Sequence, residues 1–235
     1  MNNHGAFSIR ENLPSRELGG KILGLRDLSL AGFMIPKTYY ILDILTLSLS
    51  EFLHAIGDCN LGFPIILRSS ANVEDGLAHS YAGLFQSFVC ESEDAIGENF
   101  LKLKNFNREN IVRAYPSSNF DNLRLHCIIQ PYMTYQFSGV FISDYTERGI
   151  GYAECANGNS LGKILHLGEC DYRFFIQGTE TDIDFPYKEI VLHQYNKICA
   201  AFSRQSYQYE WCILGGEMYF FQKRPYIQQS GIKVP

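Results

Sequence analysis

Residues 209–225 read YEWCILGGEMYFFQKRP, with an apolar run on each side of two adjacent glycines. Glycine readily reaches the positive φ values that tight turns between antiparallel strands require. The stretch therefore predicts a β-hairpin that turns at Gly215 and Gly216. Two polar residues, Glu210 and Gln222, interrupt its apolar runs, and packing alone does not explain them.

The length of this turn decides which faces the polar residues share. With a three-residue loop, 215–217, Glu210 lies directly opposite Gln222, and we predict this register. A two-residue turn would put them on opposite faces, because a shift of one residue reverses every side chain. In the predicted register a carboxylate and an amide oxygen form a ligand pair suited to Mg²⁺, with Arg224 on the same face. The alternative is an ordinary edge hairpin with a surface pair of Glu210 and Arg224.

The remaining sequence predicts an α+β fold. Short continuous apolar runs predict strands at 39–42, 63–68, 84–89, 125–130, 139–142 and 149–155. Amphipathic spacing predicts helices at 22–28, 93–104 and 187–202. Asp43 is a candidate N-cap for a further helix that runs to Ile56. A change of pattern near Asn119 predicts two lobes, residues 1–118 and 119–235.

Composition excludes some classes of partner. The formal net charge is −5 and the isoelectric point is near 5.7, so we expect no nucleic-acid partner and no membrane partner. Seven scattered cysteines without a CxxC pair predict reduced thiols. Residues 1–10 lack an apolar signal core and no apolar run is long enough to cross a bilayer, which predicts a cytoplasmic protein.

Two further segments carry residue types suited to phosphate. Gly19, Gly20 and Lys21 open a predicted helix, where backbone N–H groups and an ammonium favour an anion. The alternative is a glycine turn followed by a surface lysine. Arg68 closes a predicted buried strand and leads into a predicted polar loop, 69–80, whose first residues offer hydroxyl donors.

The alternative at Arg68 is a salt bridge to Glu74 or Asp75, with the two serines merely capping a turn.

The order of these motifs resembles a known family. Gly-Gly-Lys, Arg-Ser-Ser with Glu-Asp, and Ser-x-Ala-Gly are followed by blocks at 128–133, 138–144, 209–211 and 221–225. This order resembles the amino-terminal domain of phosphoenolpyruvate synthase, pyruvate phosphate dikinase and rifampicin phosphotransferase, and it spans most of the chain. The resemblance implies a two-lobed, ATP-grasp-like fold that clamps ATP and Mg²⁺.

The resemblance also implies a role for each matching residue. The implied phosphate contacts are Lys21, Arg68 and Ser69, the adenine-side hinge is Gln130, Tyr132 and Met133, and Glu154 is a ribose or adenine contact. The implied magnesium ligands are Glu210 and Gln222, and the implied catalytic residues are Arg68 and Arg224. The family's glycine-rich segment corresponds weakly to 156–162, which is either a phosphate-covering loop or a polar turn.

Three functions follow as hypotheses. Relatives pass phosphoryl from ATP to a histidine in a Thr/Ser-His-small setting, and none of the six histidines here has that setting. We therefore expect a phosphotransferase that delivers phosphoryl to a histidine on a partner protein or to a small-molecule acceptor. The alternatives are an ATP-grasp ligase that activates a carboxylate as an acyl phosphate, and a non-catalytic nucleotide-binding module.

Overall fold

The computed structural model describes residues 5–11, 18–72, 87–114, 123–144, 150–178, 180–181, 183–202 and 206–226. The chain forms two compact units, and residues 31–34 belong to the second unit with the residues from 134 onward. Each unit contains one antiparallel sheet. No helix in the described part of the chain is both long enough and apolar enough to cross a membrane.

Among its described residues the first unit contains five strands, in the order β1-β2-β5-β3-β4. Its elements are β1 (Phe7–Ser8), α1 (Gly20–Leu30), β2 (Tyr39–Ile41), α2 (Leu49–Asp58), β3 (Ile65–Ala71), β4 (Ser87–Cys90), α3 (Glu93–Ala114) and β5 (Leu125–Pro131). One face of the sheet packs on α2 and α3, and the other face packs on α1. The strand β5 lies beyond the predicted division at residue 119 and pairs with β2 and β3.

The predicted helices at 22–28 and 93–104 are present in this unit. Ile96, Phe100 and Leu103 are buried as expected, and Phe100 stacks on Phe52 of α2 at a centroid distance of 4.2 Å. The helix α1 ends at Leu30, shortly before Gly32. Gly32 has a φ of 78°, a value that glycine adopts at no steric cost.

The prediction that Asp43 caps the next helix is wrong. Asp43 has a left-handed backbone (φ 44°), and α2 begins six residues later with Ser48 as its N-cap. The Ser48 N–H donates to Glu51 at 2.8 Å, and the Glu51 N–H donates to the Ser48 hydroxyl at 3.3 Å. This capping box provides partners for two N–H groups that the start of a helix otherwise leaves without them. Asp43 is too far from the first turn of α2 to do the same.

The prediction of a loop over residues 69–80 is also wrong for its first three residues. The strand β3 continues through Ala71, which lies opposite Leu125 of β5. Residues 73–86 lie outside the described residues. The predicted partners Glu74 and Asp75 fall there, as do the Ser-x-Ala-Gly motif and residues 84–86 of the predicted strand 84–89.

The described part of the second unit contains six strands, in the order β11-β10-β6-β7-β8-β9. Its elements are β6 (Phe137–Ile142), β7 (Ile150–Asn157), α4 (Leu161–Leu167), β8 (Tyr172–Gln177), β9 (Glu180–Thr181), α5 (Lys188–Ala201), β10 (Tyr207–Leu214) and β11 (Glu217–Pro225). The sequence analysis did not predict α4, β8 or β9. One face of this sheet is aromatic, and Phe141 contacts Tyr195 of α5, Tyr209 and Phe220 at centroid distances of 5.1 to 6.1 Å.

All seven cysteines are free thiols, and five of them are buried. Burial raises the pKa of the Cys59 thiol to about 11 and that of Cys212 to about 12. Neutral thiols are therefore favoured in the folded chain, whereas unfolded thiols ionise from about pH 8.5. Because the unfolded chain then binds fewer protons, the free energy of unfolding falls as pH rises above this value.

We expect urea-unfolding midpoints to be level from pH 7 to 8 and to decrease between pH 8.5 and 10. Replacing Cys59 with alanine should reduce the slope in this interval, because one titrating thiol is lost from the unfolded chain. A wild-type midpoint that stays constant up to pH 10 would contradict the expectation.

Candidate functional site

The hairpin between β10 and β11 turns differently from the prediction. Leu214 lies opposite Glu217, so the turn has two residues and the predicted three-residue loop is wrong. Gly215 and Gly216 have φ values of 61° and 82°. Two consecutive positive φ values define the tightest turn that matches the twist of a hairpin, and two adjacent glycines permit it.

Glu210 nevertheless lies directly opposite Gln222. From the turn the pairing runs regularly to Trp211 opposite Phe220, and it then shifts by one residue so that Glu210 meets Gln222. The extra residue is Phe221, which forms a β-bulge. The bulge compensates for the shorter turn, so the predicted pair is present although the predicted turn is not.

Glu210 and Gln222 belong to a row that crosses five strands. Val140 of β6 lies opposite Glu210, Glu154 of β7 lies opposite Val140, and the row ends at Arg173 of β8. Directly opposed residues share a face of the sheet, and neighbouring strands are about 4.8 Å apart. Glu154 and Glu210 are therefore on the same face, about 10 Å apart at the backbone.

The carboxylate of Glu154 is held in a fixed orientation. The Tyr152 hydroxyl donates to Oε1 at 2.7 Å, and Nε of Arg173 donates to the same oxygen at 2.8 Å. Arg173 also donates from a terminal nitrogen to the Gly168 carbonyl at 3.2 Å. Burial, and next the Glu154 carboxylate, raise the pKa of Tyr152, which keeps the phenol protonated and donating. Sequence analysis missed both donors, although Tyr152 lies two residues before Glu154 and so on its face.

Arg224 lies on the same face in the next row. It pairs with Gln208, and its terminal nitrogen donates to the Gln208 side-chain oxygen at 3.0 Å. Lys223 lies between Gln222 and Arg224 and points the other way, with its ammonium 4.4 Å from the Phe202 ring and 4.3 Å from the Tyr207 ring. Gln208 was not predicted, although its position two residues before Glu210 is the signal for it.

In the first unit, Arg68 does not share a face with Ser69. Arg68 lies opposite Ile128, and Ser69 lies opposite Cys127, and adjacent residues of a strand point to opposite faces. Ser70, rather than Ser69, lies on the Arg68 face. The prediction that Arg68 and Ser69 act together assumed a loop at this point, and the continuation of β3 removes that possibility.

Lys21 belongs to α1, which packs on the Arg68 face of the sheet. Lys21 and Arg68 are each 8% exposed, so both cations are largely buried within the first unit. Both residue types suit the oxygens of a phosphate, so this part of the first unit is a candidate site for an anion.

The predicted adenine-side hinge lies where β5 ends at Pro131. Gln130 is buried, and its side-chain N–H group donates to the Thr38 hydroxyl at 2.9 Å, which in turn donates to a carbonyl. Tyr132 is 36% exposed and its N–H donates to the Pro64 carbonyl at 2.9 Å. Met133 is half-buried. The side chain of Gln130 thus has a partner within its own unit.

The weakly matching segment 156–162 connects β7 to α4. The Asp171 carboxylate accepts from the N–H and the side-chain amide of Asn157, both at 2.8 Å, and these bonds lower the pKa of Asp171. Ser160 and Lys163 line an open cavity of about 460 Å³ together with Arg173. The contacts described for this segment are those of a polar turn, which is one of the two alternatives that the sequence left open.

No family model and no curated protein matches the chain, but solved structures do. A protein from Pyrococcus horikoshii Ot3 matches 89% of this chain and 91% of its own, at 13% identity and a TM-score of 0.55. An acetyl-coenzyme A synthetase from Ca. Korarchaeum cryptofilum matches 97% of this chain and 95% of its own, at 11% identity and a TM-score of 0.53.

The chain has an α+β, ATP-grasp-like fold. A RimK-domain ATP-grasp protein from Sphaerobacter thermophilus is also similar, over 86% of this chain and 55% of its own, at 12% identity and a TM-score of 0.45. The chain spans about half the length of other structures that it matches, 47% of one and 52% of another. None of the named structures is a phosphoenolpyruvate synthase, so the finer resemblance remains an interpretation of the sequence motifs.

Proposed function

We propose that this protein is a Mg-ATP-dependent enzyme that activates a carboxylate as an acyl phosphate. The observation that supports this most is the row in the second unit, where Glu210 faces Gln222 and Glu154 shares their side of the sheet. Glu210 and Gln222 are 6% and 4% exposed and offer a carboxylate and an amide oxygen, which are hard ligands fit for Mg²⁺.

Each proposed residue has one task. Glu210 and Gln222 would hold Mg²⁺, which supplies positive charge to the phosphates when it is bound. Lys21 and Arg68 would bind phosphate oxygens, and Arg224 would neutralise charge that develops on the transferred phosphoryl group. Gln130, Tyr132 and Met133 would contact the adenine side, and Glu154 would accept a hydrogen bond from a ribose hydroxyl.

The proposed reaction first transfers the γ-phosphoryl group of ATP to the substrate carboxylate. A carboxylate oxygen of the substrate attacks the γ-phosphorus of ATP, the bond to the β,γ-bridging oxygen breaks, and ADP leaves with that electron pair. A nucleophile then attacks the acyl carbon and releases phosphate. The similar protein from Ca. Korarchaeum cryptofilum is named an acetyl-coenzyme A synthetase, and an acyl product of this kind supports a reaction at an acyl group.

A second candidate is phosphoryl transfer to a histidine on a partner protein. The observation that favours it is the ordered set of sequence blocks resembling phosphoenolpyruvate synthase and pyruvate phosphate dikinase, from Gly19 to Pro225. In dikinase-type chemistry the β-phosphoryl group of ATP would pass to the histidine and the γ-phosphoryl group to water, so AMP and phosphate would be released and the partner would be needed. Acyl phosphate formation would release ADP.

We expect the purified chain to form hydroxamates when it is given Mg-ATP, hydroxylamine and a panel of small carboxylic acids. An acyl phosphate reacts with hydroxylamine, so at least one acid should give a hydroxamate together with ADP. AMP in place of ADP would favour dikinase-type chemistry. Binding of Mg-ATP without any turnover would fit both the histidine phosphotransferase without its partner and a non-catalytic nucleotide-binding module.

A further inference from the structure

Ser70 is a buried residue whose hydroxyl has no partner among the described residues. It lies on β3 at 0% exposure, and its Oγ makes no hydrogen bond with the described chain. Its neighbour Ser69 is equally buried on the opposite face. A buried hydroxyl without a partner is unfavourable for folding, so its presence requires an explanation.

The oxygen of Ser70 lies at the amino-terminal end of α1. The Gly19 carbonyl accepts from the Leu23 N–H at 3.1 Å, which makes Gly19 the N-cap. A Cβ on Gly19 would come within 2.7 Å of the Ala71 carbonyl oxygen and would collide with Ser70 Oγ. The serine oxygen therefore occupies the place of the side chain that Gly19 lacks.

Two cations lie near this end of the helix. Lys21 is in the first turn of α1, and Arg68 lies two residues before Ser70 on the same face of β3. The N–H groups of a first helical turn, the positive end of the helix dipole and both cations favour an anion. An anion bound at this end of the helix would lie next to Ser70 Oγ.

We propose that Ser70 completes an anion site at the start of α1, where it donates its hydroxyl hydrogen to an oxygen of a polyphosphate that Lys21 and Arg68 also bind. The proposal rests on the proposed function, in which ATP supplies the polyphosphate. Gly19 lies against Ser70 Oγ, so in this proposal the anion reaches the hydroxyl as the backbone at Gly19 shifts, which glycine permits. The hydroxyl gains its partner only in the complex.

The test compares Ser70→Ala with the matched control Ser69→Ala, two substitutions of the same size at adjacent, equally buried positions. Calorimetry measures binding of inorganic tripolyphosphate and of Mg-ATP, and thermal unfolding measures the stability of each protein without ligand. Ser70→Ala should weaken both affinities about tenfold, the loss expected for one hydrogen bond to a charged group. Its unfolding midpoint should be no lower than that of the wild type, because it removes an unpartnered group.

Ser69→Ala should leave both affinities within about twofold of the wild type, since its side chain is on the other face. The proposal is overturned if Ser70→Ala binds tripolyphosphate as tightly as the wild type does. It is also overturned if Ser69→Ala loses as much affinity, or if Ser70→Ala loses affinity together with stability. A wild-type chain that binds neither probe would instead overturn the proposed function itself.

Discussion

Replacing Glu210 with glutamine is expected to weaken Mg-ATP binding by at least about tenfold, or roughly 1.4 kcal/mol. The substitution keeps the size of the side chain and removes the negative charge that faces Gln222. Two neutral amides are poorer ligands for Mg²⁺ than a carboxylate and an amide, so the metal-dependent part of the affinity is lost. Calorimetry with ATP in the presence and absence of Mg²⁺ measures this part directly.

The matched control is Glu217→Gln. Glu217 lies on the same hairpin and is exposed beside the turn, so the same chemical change there should leave Mg-ATP affinity unchanged. Equal losses in the two variants would point to a general effect of charge on the hairpin. An unchanged affinity in Glu210→Gln would rule out Glu210 as a magnesium ligand.

Replacing Gly139 with alanine is expected to destabilise the second unit strongly. A Cβ on Gly139 would lie 2.7 Å from the Cys155 Cβ and from the Glu154 carbonyl oxygen, and it would collide with the Trp211 ring. Trp211 is fully buried and cannot swing into solvent. Overpacking of this kind costs about 1–3 kcal/mol, which lowers the unfolding temperature by several degrees.

Gly57→Ala provides the comparison. Gly57 lies inside α2, no atom outside its own helix lies within 4 Å of the added Cβ, and its φ is not positive. Alanine in a helix interior is favoured over glycine by about 0.5–1 kcal/mol, so this variant should unfold at a slightly higher temperature. A Gly139→Ala protein as stable as the wild type would show that the packing around Trp211 has room for the added methyl group.

The contacts of Gly139 show why parts of the structure could not be predicted from the sequence. The apolar runs and helical spacing predicted β5, β6, α3 and α5, since these patterns depend on neighbouring residues alone. The contact of Gly139 with Trp211 joins residues that are far apart in the sequence, and no local pattern encodes it. The Ser48–Glu51 capping box, in contrast, depends on residues close together in the sequence and could have been predicted from it. Asp43 was predicted as the N-cap instead.

The residues of the candidate site also divide into those that were predicted from the sequence and those that were not. Glu210, Gln222 and Arg224 were predicted from their residue types and order, and the structure brings all three to one face of one sheet. Ser69 was predicted with Arg68 from proximity in sequence, and the two-residue period of β3 separates them. Arg173 was not predicted, because its contact with Glu154 depends on pairing between β7 and β8. Tyr152 and Gln208 were missed although each lies two residues from a predicted site residue on the same strand.

The amino-acid sequence by itself determined the α+β class, the hairpin at two glycines and the identity of the polar residues along it. Only the tertiary structure decided which of those residues face one another. The pairing of Glu210 with Gln222 depends on a two-residue turn and on the bulge at Phe221 together. A bulge disrupts the local ladder, so pairing within the hairpin does not favour it. Phe220 beside the bulge packs on Phe141, which is distant in the sequence, and local sequence patterns do not encode such contacts.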